Sequence, residues 1–223
     1  MPNTTLRHLA IIPDGNRRWS ANHGVSLERT YFDSCAKMLE VCRLLETMSG
    51  LLEVSLFFVS LENLRSRPQS ELDPLFSAGH HFLDVFYESS LGEAIELRWV
   101  GMHEEGSEVD SVLYAGFVDR VRQLKRTRSG ARRVNVLMGY DVGKDIESAL
   151  RKNGSFSYKH LAVNRPVDLI VRSGGHQRLS GFLPLMCQYA EFDFIEALFP
   201  DVTLQVITNS IRRFGASNRR FGS

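Results

Sequence analysis

The feature that most constrains the fold is an apolar run near the start of the chain that ends abruptly. Residues 9–12 (LAII) are followed at once by PDGNRR at residues 13–18. This pattern predicts a buried strand that stops where a helix begins. At the carboxyl end of such a strand, the helix dipole and the first amide groups of the helix favour a bound anion. The sequence therefore predicts a ligand site at this junction.

The chain continues as an alternation of strand and helix patterns. Further apolar runs of β type lie at residues 54–59, 95–100, 134–138, 167–171 and 192–195. Helical patterns lie at residues 31–48, 68–87, 109–128, 142–150, 182–190 and 204–214. A helix between two strands is typical of a βαβ unit, which pairs its strands in parallel. We therefore expect an α/β fold, a single domain with a mostly parallel central sheet flanked by helices.

Composition narrows the class of protein. With 223 residues, of which 43% are hydrophobic, the chain can bury one sizeable core. Lysine and arginine total 27 against 26 aspartate and glutamate, a balance that indicates no nucleic-acid partner. No apolar run approaches the roughly 20 residues that span a bilayer, so we expect no transmembrane segment and a cytoplasmic protein. The three cysteines lack metal-ligand spacing and are interpreted as reduced packing residues.

The residues after the first strand combine one carboxylate, Asp14, with two arginines, Arg17 and Arg18. Guanidinium groups bind phosphate oxygens and a carboxylate binds magnesium, so the set suits a diphosphate with a divalent cation. The tripeptide Asp-Gly-Asn is also ordinary turn chemistry. On these residues alone, a capped turn is the alternative interpretation.

Four sequence blocks, in this order, resemble the signatures of the cis-prenyltransferase (undecaprenyl diphosphate synthase-like) family. They are HLAIIPDGNRRW at residues 8–19, VSLFFVSLENLRSRPQSE at 54–71, the block with RSGG, RLS and YAE at 167–200, and NRRFG at 218–222. The resemblance covers nearly the whole chain. It implies a single cis-prenyltransferase-like catalytic domain over residues 1–223, prenyl diphosphate substrates and Mg2+ as the cofactor.

The resemblance also implies roles for individual residues. Those expected to act in catalysis are Asp14, Ser60 and Asn63. Those expected to bind substrate are Gly15, Asn16, Arg17, Arg18, Arg29, Arg67, Arg172, Arg178, Ser180, Arg220 and Gly222. Asp14 and Glu191 are expected to hold the magnesium ion. In the family the terminal Arg-x-Gly reaches across a dimer interface, which implies a homodimer here. Without the resemblance, Ser60 and Asn63 are equally well explained as helix caps.

Two departures from the family pattern bear on the product. Phe58 stands where long-chain members have a small residue that lines the product tunnel, so it is expected to contact substrate and to close that tunnel. His176 and Gln177 replace the usual Glu-His after the Gly-Gly pair. The imidazole of His176 is therefore expected near the second substrate, where it either accepts a proton in catalysis or only binds a diphosphate.

These features lead to three functional hypotheses. The first is a magnesium-dependent prenyl diphosphate synthase that joins two five-carbon units, most simply two dimethylallyl diphosphates, head to middle. Its product would be a branched or cyclised ten-carbon diphosphate, as in the lavandulyl and cyclolavandulyl diphosphate synthase branch. The second is regular condensation with isopentenyl diphosphate to a short Z-product. The third is a catalytically silent partner subunit.

Overall fold

The computed structural model describes residues 5–101, 112–123 and 132–217. Within these ranges the strands are β1 (His8–Ile12), β2 (Glu53–Ser60), β3 (Glu96–Val100), β4 (Arg133–Tyr140), β5 (Leu169–Arg172) and β6 (Glu191–Phe194). They form one six-stranded sheet in the order β3-β4-β2-β1-β5-β6, and every neighbouring pair is parallel. The predicted α/β fold with a parallel central sheet is confirmed.

Helices connect the strands and cover both faces of the sheet. In the described residues they are α1 (Asn16–His23), α2 (Leu27–Cys42), α3 (Leu44–Thr47), α4 (Leu61–Ser66), α5 (Gln69–Glu88), α6 (Ser90–Ala94), α7 (Val112–Gln123), α8 (Val142–Asn153) and α9 (Leu204–Ala216). Short 3-10 turns lie at Tyr158–His160 and Phe199–Asp201. The helix predicted over residues 31–48 is divided into α2 and α3, and α2 starts earlier, where the Ser26 hydroxyl accepts the Arg29 amide.

The helix predicted over residues 182–190 is wrong. This segment consists of successive turns, in which the amides of Phe182 and Met186 bond to carbonyls three residues earlier. The apolar spacing is helical because four side chains of the segment are buried, but Pro184 has no amide to donate. A proline also disfavours the helical conformation of the residue before it, and Leu183 has a φ of 36°.

The core consists of two apolar layers, one on each face of the sheet. Leu9 and Ile11 of β1 belong to the layer beneath α2 and α5, whereas Ala10 and Ile12 belong to the opposite layer, with Phe182. This alternation follows the two-residue period of a strand that is buried on both faces.

The cysteines are packing residues, as predicted. Cys35, Cys42 and Cys187 are buried free thiols. Burial raises the pKa of each thiol, that of Cys187 to about 12. Among the helices that the structure describes, none combines the length and the apolar character that crossing a membrane would require.

A buried polar network lies at the amino edge of the sheet, opposite the carboxyl ends of the strands. The His8 ring is fully buried, with Nε2 2.8 Å from the Ser55 hydroxyl and Nδ1 3.0 Å from the Arg165 carbonyl. Asn135 donates to Ser55 and to the buried carboxylate of Glu53, which also pairs with Arg165 at 3.0 Å. Burial lowers the pKa of His8 below its usual 6.5, although the nearby Glu53 opposes the shift.

This histidine gives the first testable prediction. Because the folded protein resists protonation of His8, the unfolded chain binds the proton more readily as the pH falls below about 6.5. The free energy of unfolding should therefore decrease from pH 7 towards pH 5. His8→Gln should be less stable at pH 7 and should lose stability less steeply over that range, as measured by urea denaturation. The exposed His23, changed to Gln, is the control and should keep the wild-type slope; a wild-type slope in His8→Gln would contradict the prediction.

Candidate active site

A polar cleft of about 910 Å³ opens at the carboxyl edge of the sheet, where β1, β2 and β5 end. Thirteen of the residues predicted to form the site line it: Asp14, Gly15, Asn16, Arg17, Arg18, Phe58, Ser60, Asn63, Arg67, Arg172, His176, Arg178 and Ser180. Five of these are arginines, and the carboxylates that line the cleft are those of Asp14 and Glu62. The excess of positive charge makes the cleft an anion site.

The ion pair between Asp14 and Arg172 lies at the centre of the cleft. Arg172 Nη2 donates to Asp14 Oδ2 at 2.6 Å, and Arg18 Nη2 lies 3.4 Å from the other carboxylate oxygen. Only 3% of the Arg172 side chain is exposed, compared with 28% for Asp14. The arginine is thus a buried cation, while the carboxylate keeps an open side towards the cleft.

Arg172 also organises the loop that follows β5. Its Nη1 donates to the Arg178 carbonyl and, at 3.0 Å, to the Ser180 hydroxyl. Ser180 has a φ of 52°, in the left-handed region that non-glycine residues seldom adopt. The terminal nitrogens of Arg172 therefore position this loop. Arg178 is exposed, so its side chain is more accessible to a ligand than that of Arg172.

The amides of the Gly-Gly pair, Gly174 and Gly175, are already used within the protein. The amides of Gly174 and Gly175 donate to the carbonyls of Ala197 and Ile195, at 2.8 and 3.0 Å, and so are not turned towards a phosphate. A Cβ on Gly174 would lie 2.6 Å from Arg18 Nη2, which donates to the Gly174 carbonyl at 2.8 Å. The absence of a side chain at Gly174 makes room for the Arg18 guanidinium.

The start of α1 forms the opposite wall of the cleft. Gly15 has a φ of 106°, and a Cβ there would lie 2.7 Å from the Leu198 side chain. The Asn16 side chain donates to the Pro13 carbonyl and accepts from the Ser34 hydroxyl at 2.5 Å, so it fixes the turn. The first amides of a helix have no partner within the helix, and the residues that carry them in α1, Asn16, Arg17 and Arg18, line the cleft.

Ser60 and Asn63 both line the cleft at the end of β2. The Ser60 hydroxyl accepts the Asn63 amide at 3.1 Å, so Ser60 caps α4. Ser60 is therefore a helix cap, as the alternative interpretation predicts. A residue that caps a helix can also lie beside a ligand.

Two of the predicted site residues that the structure describes do not line the cleft. Arg29 lies on α2 with 71% of its side chain exposed and pairs with Asp33 at 3.1 Å, so it does not contact the site. The other is Glu191. Arg220 and Gly222 lie outside the described residues.

Glu191 lies at the amino end of strand β6, whereas Asp14 lies beyond the carboxyl end of strand β1. Glu191 is in register with Leu169, the first residue of β5, whereas Asp14 contacts Arg172, the last. Three residue steps along a strand separate these levels by about 10 Å. Glu191 accepts instead from the Ser217 hydroxyl at 2.7 Å. The expected magnesium pair of Asp14 and Glu191 is therefore not formed within one chain, because the register of β5 and β6 separates the two carboxylates.

Asp14 is the residue by which the cleft could bind a magnesium ion. Among the described residues no three His, Cys, Asp or Glu side chains cluster as a metal site. Magnesium does not require such a cage, since it binds through one or two carboxylates and completes its shell with substrate phosphates and water. A partly exposed carboxylate in an arginine-lined cleft fits that chemistry.

Tyr31, Phe57 and Glu62 also line the cleft but were not predicted as site residues. Tyr31 belongs to the helical pattern of α2 and is buried, so in the sequence it is indistinguishable from a core residue. Its hydroxyl accepts from Arg67 Nη1 at 3.3 Å. Burial raises the pKa of Tyr31, and the charges of Arg67 and Arg17 oppose the shift.

An irregularity in β2 forms the apolar end of the cleft. Phe57 pairs with Leu137 and Val59 with Met138, so Phe58 is the extra residue of a bulge. The bulge allows Phe57 and Phe58, which are adjacent, both to line the cleft. Phe58 meets Phe82 and Trp99 edge to face, with ring centroids 5.5 and 6.1 Å away.

Comparison with known proteins gives consistent matches over the whole chain. The family model described as "Putative undecaprenyl diphosphate synthase" matches residues 12–222. An isoprenyl transferase of Campylobacter jejuni (strain RM1221) is 32% identical over 97% of this chain and 98% of its own length. The structure of a "probable undecaprenyl diphosphate synthase" of Campylobacter jejuni has a TM-score of 0.71 at 28% identity, covering 98% of this chain and 99% of that one.

A plant structure has the same fold. Lavandulyl diphosphate synthase from Lavandula x intermedia, solved with dimethylallyl diphosphate, gives a TM-score of 0.76 at 21% identity, over 98% of this chain and 99% of the plant chain. At that identity, the likeness is one of fold alone.

Gly174→Ala tests whether the glycine makes room for Arg18. The added methyl should displace the guanidinium and weaken binding of inorganic diphosphate about tenfold, the effect of losing one hydrogen bond to a charged group. Gly154→Ala is the matched control, because Gly154 also has a positive φ, 71° against 86°, but no atom within 4 Å of an added Cβ. Both variants should lose about 1–2 kcal/mol of stability. Equal diphosphate affinities in a calorimetric titration would contradict this role.

Proposed function

Because the chain belongs to the family of undecaprenyl diphosphate synthases and other cis-prenyltransferases, and is therefore a transferase, we propose that it joins two five-carbon prenyl diphosphates into a ten-carbon diphosphate. Diphosphate is released in the reaction. The proposal of a short product is supported by an aromatic wall at the apolar end of the cleft. This wall consists of Phe58, Phe82, Trp99 and Phe117.

The wall leaves little room for a growing chain. Phe58 packs edge to face on Phe82 and Trp99, and the Trp99 ring lies 4.8 Å from that of Phe117. Phe82 and Phe117 are fully buried in the core between the sheet and helices α5 and α7. An enzyme that adds many isoprene units needs an open apolar channel beyond the first one. Here that direction is filled with side chains packed at the density of a protein interior.

Two groups of cations support binding of two diphosphates. Arg18 and Arg67 flank the start of α1, whose amides and dipole favour the anion of the allylic donor. Arg178, with Ser180 and the buried Arg172 behind it, lies on the other side of Asp14 and would bind the second substrate.

Asp14 is the residue that would hold the magnesium ion, together with diphosphate oxygens. When bound, the ion neutralises charge on the departing diphosphate and so favours its release. The contacts of Asp14 with Arg172 and Arg18 fix the orientation of its carboxylate.

The residues of the chain account for the remaining steps. As the bond between carbon and oxygen of the donor breaks, Arg18, Arg67 and the amides of α1 stabilise the diphosphate anion. Phe57 and Phe58 shield the allylic cation from water. The double bond of the second substrate attacks this cation, a new carbon–carbon bond forms, and the resulting cation loses a proton to a base in the cleft.

The identity of that base bears on how the units are joined. Attack by the middle carbon of dimethylallyl diphosphate places the new cation elsewhere than regular condensation does, and therefore needs a differently placed proton acceptor. His176 lines the cleft next to the Gly-Gly pair and is the base assigned in this proposal, with two dimethylallyl diphosphates joined head to middle. The product would have a lavandulyl or cyclised lavandulyl skeleton.

Regular head-to-tail condensation with isopentenyl diphosphate is the second candidate. It is favoured by the 32% identity to an isoprenyl transferase over nearly the full length of both chains. A catalytically silent subunit is the least favoured, because Asp14, Arg18, Asn63, Arg67 and Arg178 all converge on one cleft.

The active form proposed is a homodimer. Tyr189 and Phe192, before and in the edge strand β6, have 67% and 42% of their surface exposed, and Phe156 and Tyr158 are exposed as well. Exposed apolar side chains of this kind favour an interface with a second copy.

The direct test is incubation of the purified protein with magnesium and dimethylallyl diphosphate, alone and then with isopentenyl diphosphate, with products identified by mass spectrometry. Dimethylallyl diphosphate alone should give a ten-carbon diphosphate. Asp14→Ala should lose at least about a hundredfold in turnover, the scale of removing one electrostatic stabiliser. His176→Ala should change the ratio of head-to-middle to head-to-tail product, or of cyclic to open product. Long chains made only with isopentenyl diphosphate would refute the proposal.

Phe58→Ala tests the aromatic wall. Removal of the ring should open the cleft towards Trp99 and Phe117, and the variant should make longer or more varied products in the presence of isopentenyl diphosphate. Phe182→Ala is the matched control, because the Phe182 ring is buried in the opposite core layer and does not line the cleft. Unchanged product length in a folded Phe58→Ala protein, compared by mass spectrometry, would show that the wall does not limit the chain.

A further inference from the structure

Tyr31 is the buried tyrosine that lines the cleft beside Arg67. Only 6% of the residue is exposed, and its hydroxyl oxygen lies 3.3 Å from Arg67 Nη1. An arginine side chain can only donate hydrogen bonds, so the phenolic oxygen is the acceptor in this contact. The proton of the Tyr31 hydroxyl is therefore still available for another acceptor.

No acceptor for that proton lies among the residues that the structure describes. The carboxylate in its vicinity, Glu71, is engaged by Arg17 at 3.0 Å. A buried hydroxyl proton without an acceptor is costly, and protein interiors seldom retain one. The cleft itself is the remaining direction in which the proton can find a partner.

Arg67 has an unused donor as well. Its Nε is buried and has no hydrogen-bond partner among the described residues. Tyr31 and Arg67 are in contact and both line a cleft with five arginines, so their unused donors favour binding of an anion with several oxygens.

The phenol is suited to remain a donor. Burial raises the pKa of Tyr31 above its usual 10, and this effect outweighs the attraction of Arg67 and Arg17 for a phenolate. The hydroxyl therefore keeps its proton throughout the neutral range and offers a hydrogen bond to an anion.

We propose that the Tyr31 hydroxyl binds the diphosphate of the allylic substrate, together with Arg67. The proposal rests on the function put forward above and adds a residue to its donor site. Tyr31 acts as a neutral hydrogen-bond donor to a diphosphate oxygen and transfers no proton. Arg67 orients the hydroxyl, because its own N–H donates to the phenolic oxygen and leaves the hydroxyl proton for the ligand.

The test is a calorimetric titration with inorganic diphosphate in the presence of magnesium. Tyr31→Phe keeps the ring and removes the donor, and it should weaken diphosphate binding roughly ten- to a hundredfold, the effect of a hydrogen bond to a charged group. Tyr140→Phe is the matched control, because the Tyr140 hydroxyl bonds to Asp145 away from the cleft. This control should bind diphosphate as the wild type does.

Thermal unfolding of the same proteins separates binding from stability. A Tyr31→Phe protein with a lower melting temperature but wild-type diphosphate affinity would overturn the proposal. Tyr31→His provides a second variant: its ring N–H restores a donor and should bind within about tenfold of the wild type, and an affinity as low as that of Tyr31→Phe would also contradict it. Absence of diphosphate binding by the wild type would overturn the proposed function itself, whereas equal binding by wild type and Tyr31→Phe overturns only the role of Tyr31.

Discussion

The ion pair between Asp14 and Arg172 is the interaction on which the cleft depends. Arg172 is the last residue of β5, and Asp14 follows the adjacent parallel strand β1 by two residues. Their 2.6 Å contact joins the two halves of the sheet at the carboxyl ends of the strands. The Asp14 carbonyl accepts from the Ser173 hydroxyl and the Phe199 amide, so the same residue also fixes the segment that follows β6. From Arg172 the connection continues to the loop at Ser180. One residue on each strand thereby sets the separation of the two proposed anion sites.

Burial of Arg172 explains why this geometry is rigid. A guanidinium taken out of water is costly unless its donors are satisfied, and both terminal nitrogens are. Its remaining donor, Nε, is buried without a partner among the described residues, as is that of Arg67. Such unsatisfied donors are uncommon in folded proteins and tend to mark functional sites. The cleft thus contains positive groups with unused donors that an anion could satisfy.

The fold was largely predictable because both core layers follow simple periods. The alternation of Leu9 and Ile11 with Ala10 and Ile12 requires a strand buried on two faces, and helices between such strands require parallel pairing. The exceptions have local causes. Pro184 turns a segment with a helical apolar pattern into successive turns. Glu191 is distant from Asp14 within one chain, and this could not be predicted because a motif gives residue identities but not strand register. Tyr31 was missed since only the packing of α2 against the cleft distinguishes it from a core residue.

The bulge at Phe58 lies in β2, the neighbour of β1 on the side opposite β5. It is compensated by a second irregularity at Gly139 of β4, so that Ser60 returns to register with Tyr140. The bulge is thereby absorbed within one short stretch of paired backbone, before Ser60 caps α4. Ser60, Asn63 and Arg67 therefore keep their positions although the strand that precedes them carries an extra residue. The same strand can present two adjacent aromatic rings to the cleft and still start the next helix in register.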